Sequence, residues 1–138
     1  MKVERAIRWL DTAMYLGLAI LVFASRPWNA TVLGGLALAS AGFVLWMVAR
    51  MQLGESFSLR AQAKTLVTRG LYSRFRHPIY LFGAIAFLGL AVAWGHWLGY
   101  LYIVLIWVVE RFRSKKEEAA LELAFGDQYR QYRARTWF

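Results

Sequence analysis

The 138-residue chain contains no cysteine. That excludes disulfides, thiolate metal sites and a cysteine nucleophile, and leaves the compartment open. Proline occurs only at Pro27 and Pro78, and histidine only at His77 and His96. The two histidines flank the apolar run Pro78 to Trp94, so a metal site would need carboxylates from distant segments. Acidic residues are also few: eight, against seventeen Lys and Arg, for a net charge of +9. The basic residues flank apolar blocks and form no solvated face of their own, which argues against nucleic acid as the partner. There is no phosphate-binding glycine loop, nucleophile elbow, internal repeat or low-complexity tract.

The chain is rich in apolar side chains. It is 59% hydrophobic and 17% aromatic, and its mean hydropathy is positive. A soluble domain has about 45–50% apolar residues, and here the excess is gathered in blocks. These predict an all-α integral membrane bundle of four transmembrane helices, forming one membrane-embedded domain over residues 1–138. The spans fall at about 9–24, 30–49, 78–94 and 97–110. The first is short, carries Asp11 in its first turn, and lacks a following small-residue cleavage site, so it reads as a retained span. In the second, Gly34, Gly35, Ala39 and Gly42 permit close helix approach, serving a homodimer and internal packing equally well. Gly95-His96-Trp97 is a tight turn between spans three and four, with His96 read as interfacial. From Glu110 charge returns, and about 114–135 reads as a cytoplasmic C-terminal amphipathic helix. Leu121, Phe125, Tyr129 and Tyr132 share one face of it, and Gly126 interrupts it. Such a helix can lie on the membrane surface or pack over the mouth of the bundle.

Charge sets the expected topology. Three Lys/Arg precede span one, six lie between spans two and three, and seven follow span four, whereas the opposite loops hold only Arg26. The positive-inside rule then places both termini and the long connection in the cytoplasm.

Two clusters carry candidate chemistry. The first is Arg76-His77-Pro78-x-Tyr80. Proline starts a helix whose free N–H groups, beside Arg76 and His77, suit an anionic or polar ligand group. Arg76 and Tyr80 also fit the role of interfacial anchors, with His77 as a cap. The second is Arg113, Glu117 and Glu118. Arg113 and Glu117 are four apart and can pair, or belong to a solvated charged face. Glu118 lies about 140° around the helix from Arg113 and can serve something else.

Taken together, the motifs resemble a known family. Leu66-Val67-Thr68-Arg69-Gly70-Leu71-Tyr72, then Arg76-His77-Pro78-x-Tyr80, Gly83 and Gly89, resemble the isoprenylcysteine carboxyl methyltransferases and the related phospholipid N-methyltransferases. Arg113, Glu117-Glu118, Leu121, Phe125-Gly126, Tyr129 and Tyr132 match the second half of the pattern, and Leu53-Gly54 with Ser56-Phe57 match its weaker start. The resemblance runs from about Gln52 to Arg135. It implies an integral membrane methyltransferase using S-adenosyl-L-methionine, with the cofactor at the cytoplasmic ends of the last two spans under the C-terminal helix. By position, His77, Tyr80, Glu117 and Glu118 would contact the cofactor, and Arg113 and Glu118 would stand near the reacting group. Tyr72, Tyr129 and Tyr132 would line the pocket or hold the lid.

The family continues past the last tyrosines to a proline-containing segment, whereas this sequence ends at Thr136-Trp137-Phe138. It also has fewer spans than the eukaryotic isoprenylcysteine enzymes. Both differences favour a minimal prokaryotic inner-membrane member with a different lipophilic or lipidated substrate, and the acceptor stays open between a carboxylate, such as an isoprenylcysteine-like one, and the amine of a lipid headgroup. A carboxylate acceptor would need a cation such as Arg113 to orient it. An amine would need a proton acceptor such as Glu117 or Glu118. Two other classes fit less closely: a sterol-reductase-like NADPH-dependent oxidoreductase, and a non-enzymatic membrane scaffold.

Overall fold

The computed structural model describes residues 2–54 and 66–137, with the side chains of residues 2–9 and 11 outside that description. Glu55, Ser56, Phe57, Arg60, Lys64 and Phe138, and the side chains of Lys2, Arg5, Arg8, Trp9 and Asp11, therefore lie outside the described residues. The described residues form five α-helices and no strand. These are α1 (Lys2–Ser25), α2 (Ala30–Leu53), α3 (Pro78–Trp94), α4 (Trp97–Phe125) and α5 (Asp127–Arg135), with a short 3₁₀ turn at Gly70–Ser73.

Local chemistry sets several ends. Asn29 caps α2, its side chain accepting from the Val32 N–H at 2.9 Å. Pro78 opens α3, and Gly95 closes it in a left-handed conformation while donating its N–H to Ala91 O. His96 then caps α4, its Nδ1 accepting from the Leu98 N–H at 3.3 Å. His96 stacks on Trp94 and Trp97, so it forms part of an exposed aromatic turn.

Helices α2 and α3 form the most closely packed pair. A Cβ on Gly89 would lie 2.2 Å from Ala39 N, and one on Gly42 would lie 2.5 Å from Ala86 N. No side chain fits in those gaps, so the two backbones meet directly. The small-residue face that the sequence offers equally to a second copy is thus occupied by α3. Gly34, grouped with it in the sequence, looks onto open space. Around this contact lies the core: Tyr15, Ala39, Trp46, Phe82, Ala86 and Leu90. Tyr15 joins α1 to it, donating its hydroxyl to Ala39 O at 2.9 Å and stacking on Phe43 at 4.5 Å.

α2 is long and apolar enough to cross a membrane, whereas Thr12–Ser25 and Pro78–Trp94 are shorter apolar helices. α4 differs from the sequence expectation. The fourth span and the tail helix, expected to separate near 110–114, are one continuous helix of 29 residues. The run Glu110-Arg-Phe-Arg-Ser-Lys-Lys-Glu-Glu118 holds no glycine or proline, so charge enters without a helix break. The break comes at Gly126, where φ is +49°, a conformation that disfavours any Cβ. Arg130 spans this corner, reaching Glu122 at 3.0 Å and Asp127 at 2.9 Å.

Candidate active site

The site forms where the start of α3 meets the charged half of α4. Pro78 fixes the first turn of α3, so His77 sits at its N-cap and Tyr80 lies one turn in. His77 makes no capping hydrogen bond with its side chain. Its ring turns instead toward α4, where Nε2 meets Glu118 Oε1 at 3.1 Å. Arg76 reaches the same oxygen at 3.3 Å. The Tyr80 hydroxyl donates to Glu117 Oε1 in a short hydrogen bond. Arg113 lies 4.0 Å from Glu117 Oε1 and 5.7 Å above the Tyr80 ring. The His77 and Tyr80 rings stack at 5.6 Å. Arg113 therefore pairs within α4, as its spacing permits, and also faces α3. Glu118, around the helix, serves His77 and Arg76.

His77 is buried, and burial is the chief reason its pKa falls below the ordinary histidine value, despite the two neighbouring carboxylates. A neutral ring beside a carboxylate must place its proton on Nε2, because the carboxylate can only accept. Nδ1, 3.9 Å from Glu117 Oε2, is then the ring's acceptor. The carboxylates are partly open to solvent, with Glu117 27% and Glu118 21% exposed.

A second layer closes over this cluster. Tyr72 and Tyr129 are buried, and burial raises both hydroxyl pKa values, so each stays protonated at neutral pH. Burial likewise pushes Tyr132 up to about 12. The Tyr132 hydroxyl donates to Tyr72 O at 2.7 Å, fastening α5 to the segment before α3. The Trp137 N–H donates to Arg74 O at 2.7 Å and the Arg76 N–H to Trp137 O at 3.1 Å. Gln52 at the end of α2 accepts from the Leu71 N–H at 2.8 Å. The tail helix and the residues after it are thus laced to the segment before α3, by backbone as well as side chains.

All the sequence-selected residues assemble here: His77, Tyr80, Arg113, Glu117 and Glu118 in one contact network, with Tyr72 and Tyr129 as its wall. One residue is added. Glu110, half-buried on α4, stands within electrostatic reach of Tyr80, Arg113 and Glu117. Its spacing of three and seven residues before Arg113 and Glu117 was the available signal.

The polar groups suit a zwitterionic, cationic nucleoside derivative such as S-adenosylmethionine. Glu117 and Glu118 can accept from an ammonium or from ribose hydroxyls, Arg76 can meet a carboxylate, and the stacked rings offer π faces to a sulfonium or a base. Arg76 acts electrostatically on the buried Tyr129, which places the two side chains together at the edge of the site.

Comparison with known proteins identifies related sequences. The family model for phospholipid methyltransferase matches residues 29–128. The chain is 34% identical over 120 residues to the protein-S-isoprenylcysteine O-methyltransferase of Schizosaccharomyces pombe, covering 83% of this chain and 50% of that protein. It is 31% identical over 119 residues to the protein of the same name in Homo sapiens, covering 74% of this chain and 38% of that protein. The chain thus spans half or less of the length of these curated relatives.

Proposed function

The chain belongs to the phospholipid methyltransferase family, and from that premise we propose that it is an integral membrane methyltransferase. It transfers a methyl group from S-adenosylmethionine to a lipophilic acceptor. The observation that carries this reading is the junction of α3 and α4, where Arg76, His77 and Tyr80 meet Glu117 and Glu118.

In this reading the chain is a single membrane-embedded domain with four spans and both termini on the cytoplasmic face. The supports are the apolar α2, the charge asymmetry of the loops, and the outward-facing apolar side chains of α1 and α4. Ile20, Phe23, Leu105 and Val109 are all more than half exposed and need an apolar surrounding such as lipid.

His77, Tyr80, Glu117 and Glu118 hold the cofactor, and Tyr72 and Tyr129 wall it in. Arg113 and Glu118 stand at the reacting group. S-adenosylmethionine, when bound, supplies an electrophilic methyl group on a cationic sulfur. The protein's own contribution is alignment and the exclusion of water, which together supply several kcal/mol, on the order of 7–11 for an ideal fit. Glu118 fixes the His77 ring, which leaves Nδ1 as an acceptor for a donor on the cofactor. Tyr80 orients Glu117, and Tyr129 of α5 walls one side of the cluster.

The test is calorimetric titration of S-adenosylhomocysteine into the detergent-purified protein, with His77→Ala and Glu118→Ala variants and nicotinamide cofactors alongside. Binding by the parent, weakened about tenfold or more in both variants, is the expected result. A folded parent that ignores S-adenosylhomocysteine overturns the proposal, and binding of a nicotinamide cofactor in its place would point to a reductase.

A further inference from the structure

We infer that the two helix-connecting turns remote from the charged cluster, at residues 26–29 and 95–97, seat the phosphate of a membrane lipid headgroup, with Arg26 as its cation. The inference rests on the membrane-spanning reading above and is independent of the methyl-transfer chemistry. One turn joins α1 to α2 and the other joins α3 to α4. A Cβ on Gly95 would lie 3.1 Å from Arg26 Nη2, so the guanidinium of the first turn rests against the backbone of the second. The surroundings are aromatic. Trp28 meets Phe23 edge-on at 4.6 Å, and the His96 ring stacks on Trp94 at 5.2 Å and on Trp97 at 6.0 Å. All three tryptophans are exposed. Exposed tryptophans flanking apolar helices sit at headgroup level.

Charge then selects the ligand. No Asp or Glu occurs between Asp11 and Glu55, or between Glu55 and Glu110. Asp11 and Glu110 lie well back along α1 and α4, each about 20 Å from these turns by helical rise. Arg76, Arg113 and Arg130 each face a carboxylate of the protein. The exposed Arg26 side chain makes no hydrogen bond or ion pair among the described residues, and only its backbone N–H is engaged, donating to Val22 O at 3.2 Å. Its guanidinium is a permanently charged fork of five donors. The counter-charge therefore comes from outside the chain, and at headgroup level the abundant anion is phosphate, whose geometry the fork matches. His96 supplies a further donor. Its Nδ1 accepts from the Leu98 N–H at 3.3 Å, so the neutral ring carries its proton on Nε2. The exposed apolar side chains of Phe23 and Leu101 offer tracks for the acyl chains.

The test is amide hydrogen exchange at residues 95–99 of the full chain in an uncharged detergent. The readout is confined to this turn, so lipid bound at the basic residues elsewhere does not register. Three probes are added in turn: dioleoylphosphatidylglycerol, dioleoylglycerol, which has the same chains without the phosphate, and inorganic phosphate. The phosphatidylglycerol is expected to slow exchange of the turn about tenfold when present at roughly ten times its Kd. The other two probes should leave it unchanged. Arg26→Gln should abolish the protection, and Arg26→Lys, which keeps the charge without the fork, should retain part of it. Equal protection by dioleoylglycerol, protection by inorganic phosphate alone, or full protection in Arg26→Gln overturns the inference. Should Arg26→Gln fail to fold, the contrast between the two lipids in the parent decides. An alkaline carbonate wash of membranes holding the full chain separates the two readings. Release of the chain defeats the membrane-spanning reading, whereas retention without lipid protection removes only the phosphate seat.

Discussion

The two faces of α3 are built on opposite plans. Toward α2 it presents glycine and alanine, and the backbones meet with no room for a Cβ at Gly89. Toward the charged half of α4, its first turn presents long polar side chains that touch through their tips. The first contact is dry and leaves no freedom of adjustment. The second holds five ionisable side chains, Arg76, His77, Arg113, Glu117 and Glu118, partly open to water. A rigid contact on one side of a helix lets the other side hold charged groups at fixed positions. That is what a preorganised site needs, since groups already in place have no reorganisation to undergo when charge develops.

Enlarging the dry contact should give the largest effect. Gly89→Ala is expected to cost roughly 1–3 kcal/mol of stability through overpacking, seen as a lowered thermal midpoint in detergent. S-adenosylhomocysteine affinity of the surviving folded fraction should be unchanged. Comparable loss of both would mean that the two faces are not independent.

Glu118→Gln should do the reverse. It removes the charge that meets both His77 and Arg76. Charge-assisted hydrogen bonds are worth about 1.5–3 kcal/mol, so ligand affinity should fall by roughly ten- to a hundredfold, with a small shift in the thermal midpoint. An affinity equal to that of the parent would remove Glu118 from the binding site.

Acidity sharpens the comparison further. The folded His77 ring has a depressed pKa, chiefly from burial. The unfolded chain therefore binds its proton first as pH falls. The stability this group contributes is complete above about 6.5, its ordinary value, and is lost as pH drops through the lower folded value. Thermal midpoints measured between pH 8 and pH 5 should decline more steeply for the parent than for His77→Gln. Equal slopes would show that the ring is not held neutral.

The smallest effect belongs to the strap. Tyr132→Phe removes the hydroxyl that Tyr72 O accepts at 2.7 Å and should cost about 1 kcal/mol. Faster amide exchange confined to α5 and residues 70–76 is the expected signature.

The sequence was most legible where one residue dictates one conformation. Pro78 and Gly95 bracket α3, and its expected limits match the helix residue for residue. The α4 boundary was misplaced for a physical reason. The arrival of charge after Val109 marks a change of surroundings, and a helix of arginine, lysine and glutamate passes through that change unbroken. The placement of Glu118 opposite His77 is a long-range contact that periodicity alone gives only as a direction around the helix. Glu110 was hidden by its position as the first charge after an apolar run, although its spacing to Arg113 and Glu117 was already in the sequence. The backbone lacing of Trp137 to Arg74 and Arg76 has no side-chain signature, so no pattern of residue types announces it.

The unbroken α4 also acts as a ruler. With a rise of about 1.5 Å per residue, Glu110 and Glu117 are held on the order of 10 Å apart along a rod that has no joint between them. The distance between these two carboxylates is therefore set by helical pitch, and no loop closure is needed to fix it. One residue inserted after Ser114 would lengthen the rod only slightly. It would also swing Glu117 and Glu118 by about 100°, carrying both away from Tyr80 and His77 while leaving Glu110 and Arg113 in place. The site would then keep its composition and charge and lose its register.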